Sequence, residues 1–211
     1  MQELYNHNSL FRKKYFENLS NRFIHASLAI EDMYGNLNDT SQALKLYFQS
    51  QALEYAFDID TKEKLTINNI KEIERILTNE QYDNFRTTKV EVNGSKLERA
   101  KPQYIYMEMY QLFDNYYNIW NELDPYLREA MFHIKFLQIH PFEDGNGRTA
   151  RIILIRNLCA NNDIPCVITK EVKKEYYSYI ENYDPDGLAI FLKKLADKEL
   201  DTMTSIYLSL I

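Results

Sequence analysis

"HPFEDGNGRTAR" occupies His140–Arg151 of the chain. The whole sequence of 211 residues holds only five glycines, and two of them, Gly145 and Gly147, flank Asn146 here. Upstream, "YLREAMFHIKFLQI" carries apolar residues at helical spacing behind Asp124-Pro125, a capping residue followed by a proline suited to a first helical turn. Pro141 bars easy continuation past His140. Downstream, "TARIILIRNLCANN" reads as a second helix that starts near Asn146 or Gly147. The stretch is therefore a tight corner between two helices, and its glycines sit at a helix N-terminus.

That position has a chemical meaning. The first turn of a helix leaves backbone N–H groups unpaired, and with the helix dipole they attract anions. Glycine lets the backbone approach a phosphate closely and permits positive φ. Arg148 and Arg151, three apart, fall on one face of the new helix, and guanidinium groups match phosphate oxygens. Asp144 would repel those phosphates unless a cation such as Mg²⁺ bridged them. His140, at the other lip, is suited to act as a general base. Taken singly, a Gly-Asn-Gly is a turn, a histidine at a helix end is a cap, and paired arginines are a solvated face. In this order within one short stretch they predict a site for a di- or triphosphate with magnesium.

The rest of the chain agrees with an all-α fold. Hydrophobic residues make up 45% and charged residues 27%, with only five prolines. Asn8 or Ser9 can cap a helix through Phe11, Tyr15, Leu19, Phe23 and Leu28, with Gly35 near its end. Thr40 or Ser41 opens a second helix and Thr66 a third. "QYIYMEMYQLFDNYYNIWNEL" predicts one long helix over 103–123, "IPCVIT" an extended segment, and the remainder helices near 171–183 and 187–209. The exception is "TTKVEVNGSKLERA", whose Asn93-Gly94 pair suits a type I′ turn and predicts a short β-hairpin at about 85–100. No linker or repeat divides the chain, so residues 1–211 read as one domain.

The net charge of −6 argues against nucleic acid as a partner. Cys159 and Cys166 are too few for a disulfide framework and read as reduced core thiols. The start of the chain lacks the apolar stretch of a secretory signal, and no run is long enough to span a membrane, so a cytoplasmic location without membrane attachment is expected. His133, seven residues before His140, has no metal partner at ligand spacing and reads as packing.

"HPFEDGNGRTAR" resembles the signature of Fic-domain proteins, His-Pro-Phe-x-(Asp/Glu)-Gly-Asn-Gly-Arg-x-x-Arg, and meets every fixed position. The resemblance implies an all-α Fic domain with its hairpin as a flap for target docking and residues 140–148 as the active-site loop. It implies a protein adenylyltransferase that moves AMP from ATP to a Ser, Thr or Tyr hydroxyl of a target protein or of itself. Its cofactor would be Mg²⁺, or Mn²⁺ in its place. By the same resemblance His140 is the catalytic base, Asp144 the metal ligand, and Gly145, Asn146, Gly147, Arg148 and Arg151 the phosphate site. Tyr177 lies near the adenine, while Asp184 stands where some relatives carry Asn. The phosphate-transferring Doc branch has Lys at the place of Gly147 and lacks the second Arg, so nucleotidyl transfer is favoured here. Related readings are another donor such as phosphocholine, removal of AMP from a modified target, and a non-catalytic nucleotide sensor. A homo-oligomer is compatible with all of them.

"SLAIED", with Ser27 and Glu31 four apart, resembles the family's inhibitory motif (Ser/Thr)-x-x-x-Glu-(Gly/Asn), within an N-terminal helix at about 9–34. Glu31 is expected to take Arg151 away from the nucleotide. Asp32 departs from the motif.

Overall fold

The structure, a computed structural model, describes residues 7–33, 40–59, 63–81, 84–91, 95 and 97–211. Eight α-helices run through these residues: α1 (Ser9–Ile30), α2 (Thr40–Asp58), α3 (Ile67–Thr78), α4 (Ile105–Asp114), α5 (Pro125–Ile139), α6 (Asn146–Ala160), α7 (Lys173–Glu181) and α8 (Pro185–Leu208). The predicted caps form. Asn8 accepts from Phe11 N, Asp124 accepts from Tyr126 N and Leu127 N, and Thr66 builds a capping box with Asn69. Gly35 lies outside the described residues.

The domain is assembled around α6. Residues Arg148 to Leu158 are all buried, which is the pattern of a helix covered on every side. Ile152 and Ile155 pack with Phe23, Leu28, Leu53 and Ile73 of α1 to α3. Ile153, Leu154 and Leu158 join the larger core with Phe132, Phe136, Ile180 and Leu188. A third cluster, Phe11, Tyr15, Leu19, Val167 and Met203, holds the start of α1 against α8. The segment 164–169 carries no regular structure.

Two expectations are corrected. The helix expected over 103–123 stops at Asp114 and is followed by a π-helical turn, Asn115–Ile119. That turn brings Tyr116 to the buried Glu129 and the Tyr117 hydroxyl to the Leu65 carbonyl at 3.1 Å.

The second correction is the hairpin. No strand occurs among the described residues, and the Asn93-Gly94 turn lies outside them. The reason is visible on either side of that turn. Arg86 spends its guanidinium on backbone carbonyls: His140, Thr88 and Ala100 at 2.6 Å each and Ile139 at 3.3 Å. Arg99 donates to Leu137 O at 2.9 Å and to Ser95 Oγ at 2.7 Å. Cations gathered at the last carbonyls of α5 hold both arms where a ladder was expected. The arms offer few apolar side chains to fix a strand register.

Candidate active site

The corner at 140–148 joins the C-terminus of α5 to the N-terminus of α6. His140 caps α5 in the left-handed region, φ 51°, with its N–H on Phe136 O. Phe142 is 1% exposed and packs among Phe85 and Phe136. Burying that ring contributes about 2–3 kcal/mol to holding the loop down. The Asn146 side chain closes the turn, its Oδ1 accepting from Phe142 N at 3.0 Å and its Nδ2 donating to Phe142 O at 2.8 Å. Its amide thus ties the loop to itself, and its backbone N–H belongs to the first turn of α6.

Gly145 takes φ 75°, and a Cβ there would lie 3.3 Å from Thr78 Cγ2. Gly147 is needed for space, since a Cβ would fall 2.5 Å from Glu31 Oε1 and 3.2 Å from Arg151 Nη1. No side chain caps α6. Its first-turn N–H groups therefore stay open toward a cavity of about 190 Å³ bordered by Glu31, His140, Asp144, Gly145, Gly147 and Arg148. A neighbouring cavity of about 700 Å³ shares Glu31, His140 and Gly147 and extends past Tyr177, Ile180, Ser95 and Arg99.

The two arginines, expected side by side, point different ways. Arg148, 4% exposed, donates to Asp144 Oδ2 at 3.0 Å and reaches Leu77 O, at the end of α3, at 3.5 Å. Arg151, 2% exposed, turns to α1. Its Nε donates to Ser27 Oγ at 3.0 Å, and its Nη2 to Ser27 O at 3.0 Å and Glu31 Oε1 at 2.7 Å. Burial works against the Arg151 charge, but Glu31 and the tyrosine hydroxyls nearby hold its pKa above the usual arginine value. Nη1, beside Gly147, is buried with no hydrogen bond.

His140 Nδ1 faces Leu137 O at 3.3 Å, which assigns the proton to Nδ1 and leaves Nε2 as the basic nitrogen. Burial, with Arg99 adding, pushes the imidazole pKa down to about 4. The ring is neutral at pH 7. Asp144 is exposed, its Oδ1 accepting from Gly145 N at 2.6 Å. Among the described residues no three His, Cys, Asp or Glu side chains converge on a metal site, so any ion here would need oxygens from a ligand.

Sequence reasoning missed several members of this neighbourhood. Arg86 was not singled out, and Arg99 was read only as part of the hairpin expected at about 85–100. Glu74, 5% exposed on α3, has its carboxyl lifted by burial to about 7, with Thr78 opposing and Asp144 adding to the rise. His133, expected as packing, is buried with Nε2 2.6 Å from the Tyr176 hydroxyl, and Tyr176 in turn faces Arg151. Burial holds that imidazole neutral, near 3, so its Nε2 can accept the hydrogen bond of the Tyr176 hydroxyl, which keeps its proton. Asp184 caps α8 through Gly187 N at 2.9 Å, which gives it a structural task. Asp32, at φ 54°, pairs with Lys170 at 2.9 Å and Lys173 at 2.8 Å. No signal in sequence spacing marks these long-range pairs, although the positive φ agrees with the Gly or Asn usual at that place.

Comparison with known proteins accords with this geometry. Residues 64–158 match the family model described as "Fic/DOC family". The chain is 30% identical over 143 residues to protein adenylyltransferase fic-1 of Caenorhabditis briggsae, covering 63% of this chain and 27% of that protein. It is likewise 30% identical over 140 residues to that of Caenorhabditis elegans, covering 64% and 27%. The chain thus spans about a quarter of the length of these curated relatives. Among solved structures it resembles residues 134–508 of Caenorhabditis elegans Fic-1, with TM-score 0.78, 20% identity and coverage of 99% of this chain and 69% of that one. A Fic-domain-containing signalling protein of Bacteroides thetaiotaomicron gives TM-score 0.77, 22% identity and coverage of 94% and 90%. The matching stretch runs from the turn before α3 to the last turns of α6 and the shared fold extends beyond it, so residues 64–158 of this chain form a Fic domain similar to the Fic/DOC family.

Proposed function

We propose that this protein transfers AMP from MgATP to a serine, threonine or tyrosine hydroxyl of a target protein, itself included, and that α1 restrains the transfer through Glu31. Similarity to the two Caenorhabditis protein adenylyltransferases supports the reaction type. The observation that carries it is the shared wall of the two cavities. The same His140 and Gly147 border a space of about 700 Å³, suited to a nucleoside, and one of about 190 Å³ over the open N-terminus of α6, suited to phosphates.

In this reading the target hydroxyl oxygen attacks the α phosphorus, its proton passes to His140 Nε2, and the bond to the β-phosphate oxygen breaks to release pyrophosphate. Because the imidazole is neutral, the base is available without prior deprotonation. The N–H groups of the first turn of α6 and Arg148 take up phosphate charge in a partly water-free site. The residues fit a magnesium ion in the manner Mg²⁺ prefers, one exposed carboxylate beside a phosphate site. Asp144 would hold it, and the ion would neutralise phosphate charge.

Glu31 supplies the restraint. Its carboxylate takes Arg151 and stands against Gly147, over the space where phosphate oxygens would sit. A carboxylate and a phosphate then compete for one guanidinium. The test is intact mass after incubation of the parent, Glu31→Gly, and Glu31→Gly with His140→Ala in MgATP. The expected result is added AMP in Glu31→Gly far above the parent and none in the double variant. Equal addition in all three would remove both the restraint and the base.

A further inference from the structure

A second cleft, of about 550 Å³, lies away from the Fic loop between α1, α8 and the segment 167–172. Its volume is in the range of small-molecule sites. Val167, Val172 and Leu195 provide apolar lining, and Lys198 and Thr202 belong to the polar part. Its one carboxylate is Glu199, 3% exposed and already saturated: Oε1 accepts from the Tyr15 hydroxyl at 2.8 Å and Arg22 Nη2 at 2.5 Å, and Oε2 from Arg22 Nη1 at 2.9 Å. Lys198 makes no ion pair among the described residues, so the charge left to a ligand is positive.

The cleft is built from the elements that hold the restraint. On α1 it is lined by Asn21, Arg22 and His25, which at about 100° per residue lie on the side of the helix away from Ser27 and Glu31. The segment that supplies Val167, Thr169 and Val172 also carries Lys170, and Lys173 follows directly. Both lysines grip Asp32, next to Glu31. An occupant that touches α1, α8 and this segment together adds to the contacts that keep α1 docked.

We propose that this cleft is an effector site for a small amphipathic anion, an apolar body bearing one carboxylate or sulfonate, whose binding strengthens the hold of α1 on Arg151. The regulatory half rests on the restraint proposed above; the binding half does not. The probe is 1-anilinonaphthalene-8-sulfonate, titrated by fluorescence into the whole chain. One saturable site is expected. Lys198→Glu should weaken it about tenfold, and Thr202→Trp, which fills the cleft from a partly exposed position, should abolish it with the helical melting curve retained. Glu31→Gln should lower affinity by about fivefold, the low end of ordinary coupling between sites. The probe should slow AMP addition in the parent and leave Glu31→Gly unaffected. Absence of a saturable site, or binding that both cleft variants leave intact, overturns the site. Equal or tighter affinity in Glu31→Gln overturns the coupling. Failure of every form to gain AMP, with the binding results intact, would count against the transferase reading alone.

Discussion

Replacing Glu31 with Gln keeps the shape of the side chain and one acceptor oxygen while removing the charge that faces Arg151. Breaking a buried pair by deleting one partner commonly costs about 3–5 kcal/mol. Three features reduce that here. The Glu31 side chain is 27% exposed, Ser27 retains two hydrogen bonds to Arg151, and glutamine still accepts one. The remaining loss is the difference between a guanidinium paired with a carboxylate and one hydrogen-bonded to a neutral amide, about 1–2 kcal/mol. For a domain of this size that lowers Tm by about 2–8 °C. MgATP should reverse the effect, because its phosphates supply the charge that Arg151 has lost. Melting followed by circular dichroism, with and without MgATP, reads both changes. The expected pattern is a lower Tm for Glu31→Gln without nucleotide and a larger upward shift with it. A variant as stable as the parent, raised by MgATP to the same extent, would refute the idea that Glu31 and phosphate compete for Arg151.

Acid dependence of transfer, measured as kcat/KM in the Glu31→Gly form, should stay flat well below the ordinary histidine range, since His140 acts as a base only when unprotonated, burial lowers its pKa to about 4 in the parent, and removing the Glu31 charge lowers it further; a limb at about 6.5 would contradict this. Burial lifts the Glu129 carboxyl to about 7, so its contribution to stability is present below the unfolded value of 4.5 and is lost as pH rises through 7. Glu129→Gln should therefore gain Tm over the parent at pH 8 relative to pH 5, and a parallel pH profile for the two would exclude it. Asp32→Asn removes both lysine contacts at the end of α1, and AMP addition should rise on the order of a few fold, reached in the parent by adding salt, because such exposed pairs are screened; salt-independent activity in the parent would argue against the latch.

Local chemistry was legible and distant partnerships were not. Asn8, Thr66 and Asp124 announce helix starts because a cap involves residues three apart at most, and those helices begin where expected. The Fic loop is legible for the same reason, since its turn, its glycines and its histidine act within a few residues. The two arginines were placed together because spacing reports a helix face, yet what each guanidinium meets is set by Asp144 and the end of α3 in one case and by α1 in the other. The hairpin shows the opposite failure. Asn93-Gly94 is a strong local signal, but a ladder needs registering side chains, and Arg86 meets the carbonyl demand of His140 from 54 residues away. The π turn at Asn115–Ile119 falls in the same class, because it is the turn that delivers two tyrosine hydroxyls to partners on other elements.

The clamps at Arg86 and Arg99 divide labour along the chain. Each fastens one end of a polar stretch to the carbonyls that close α5, the helix that ends in His140. Thr88 and Ser95, just inside the two arginines, belong to the same fastening, Thr88 O accepting from Arg86 and Ser95 Oγ from Arg99, so an exchange at either position is felt at the corner that carries His140.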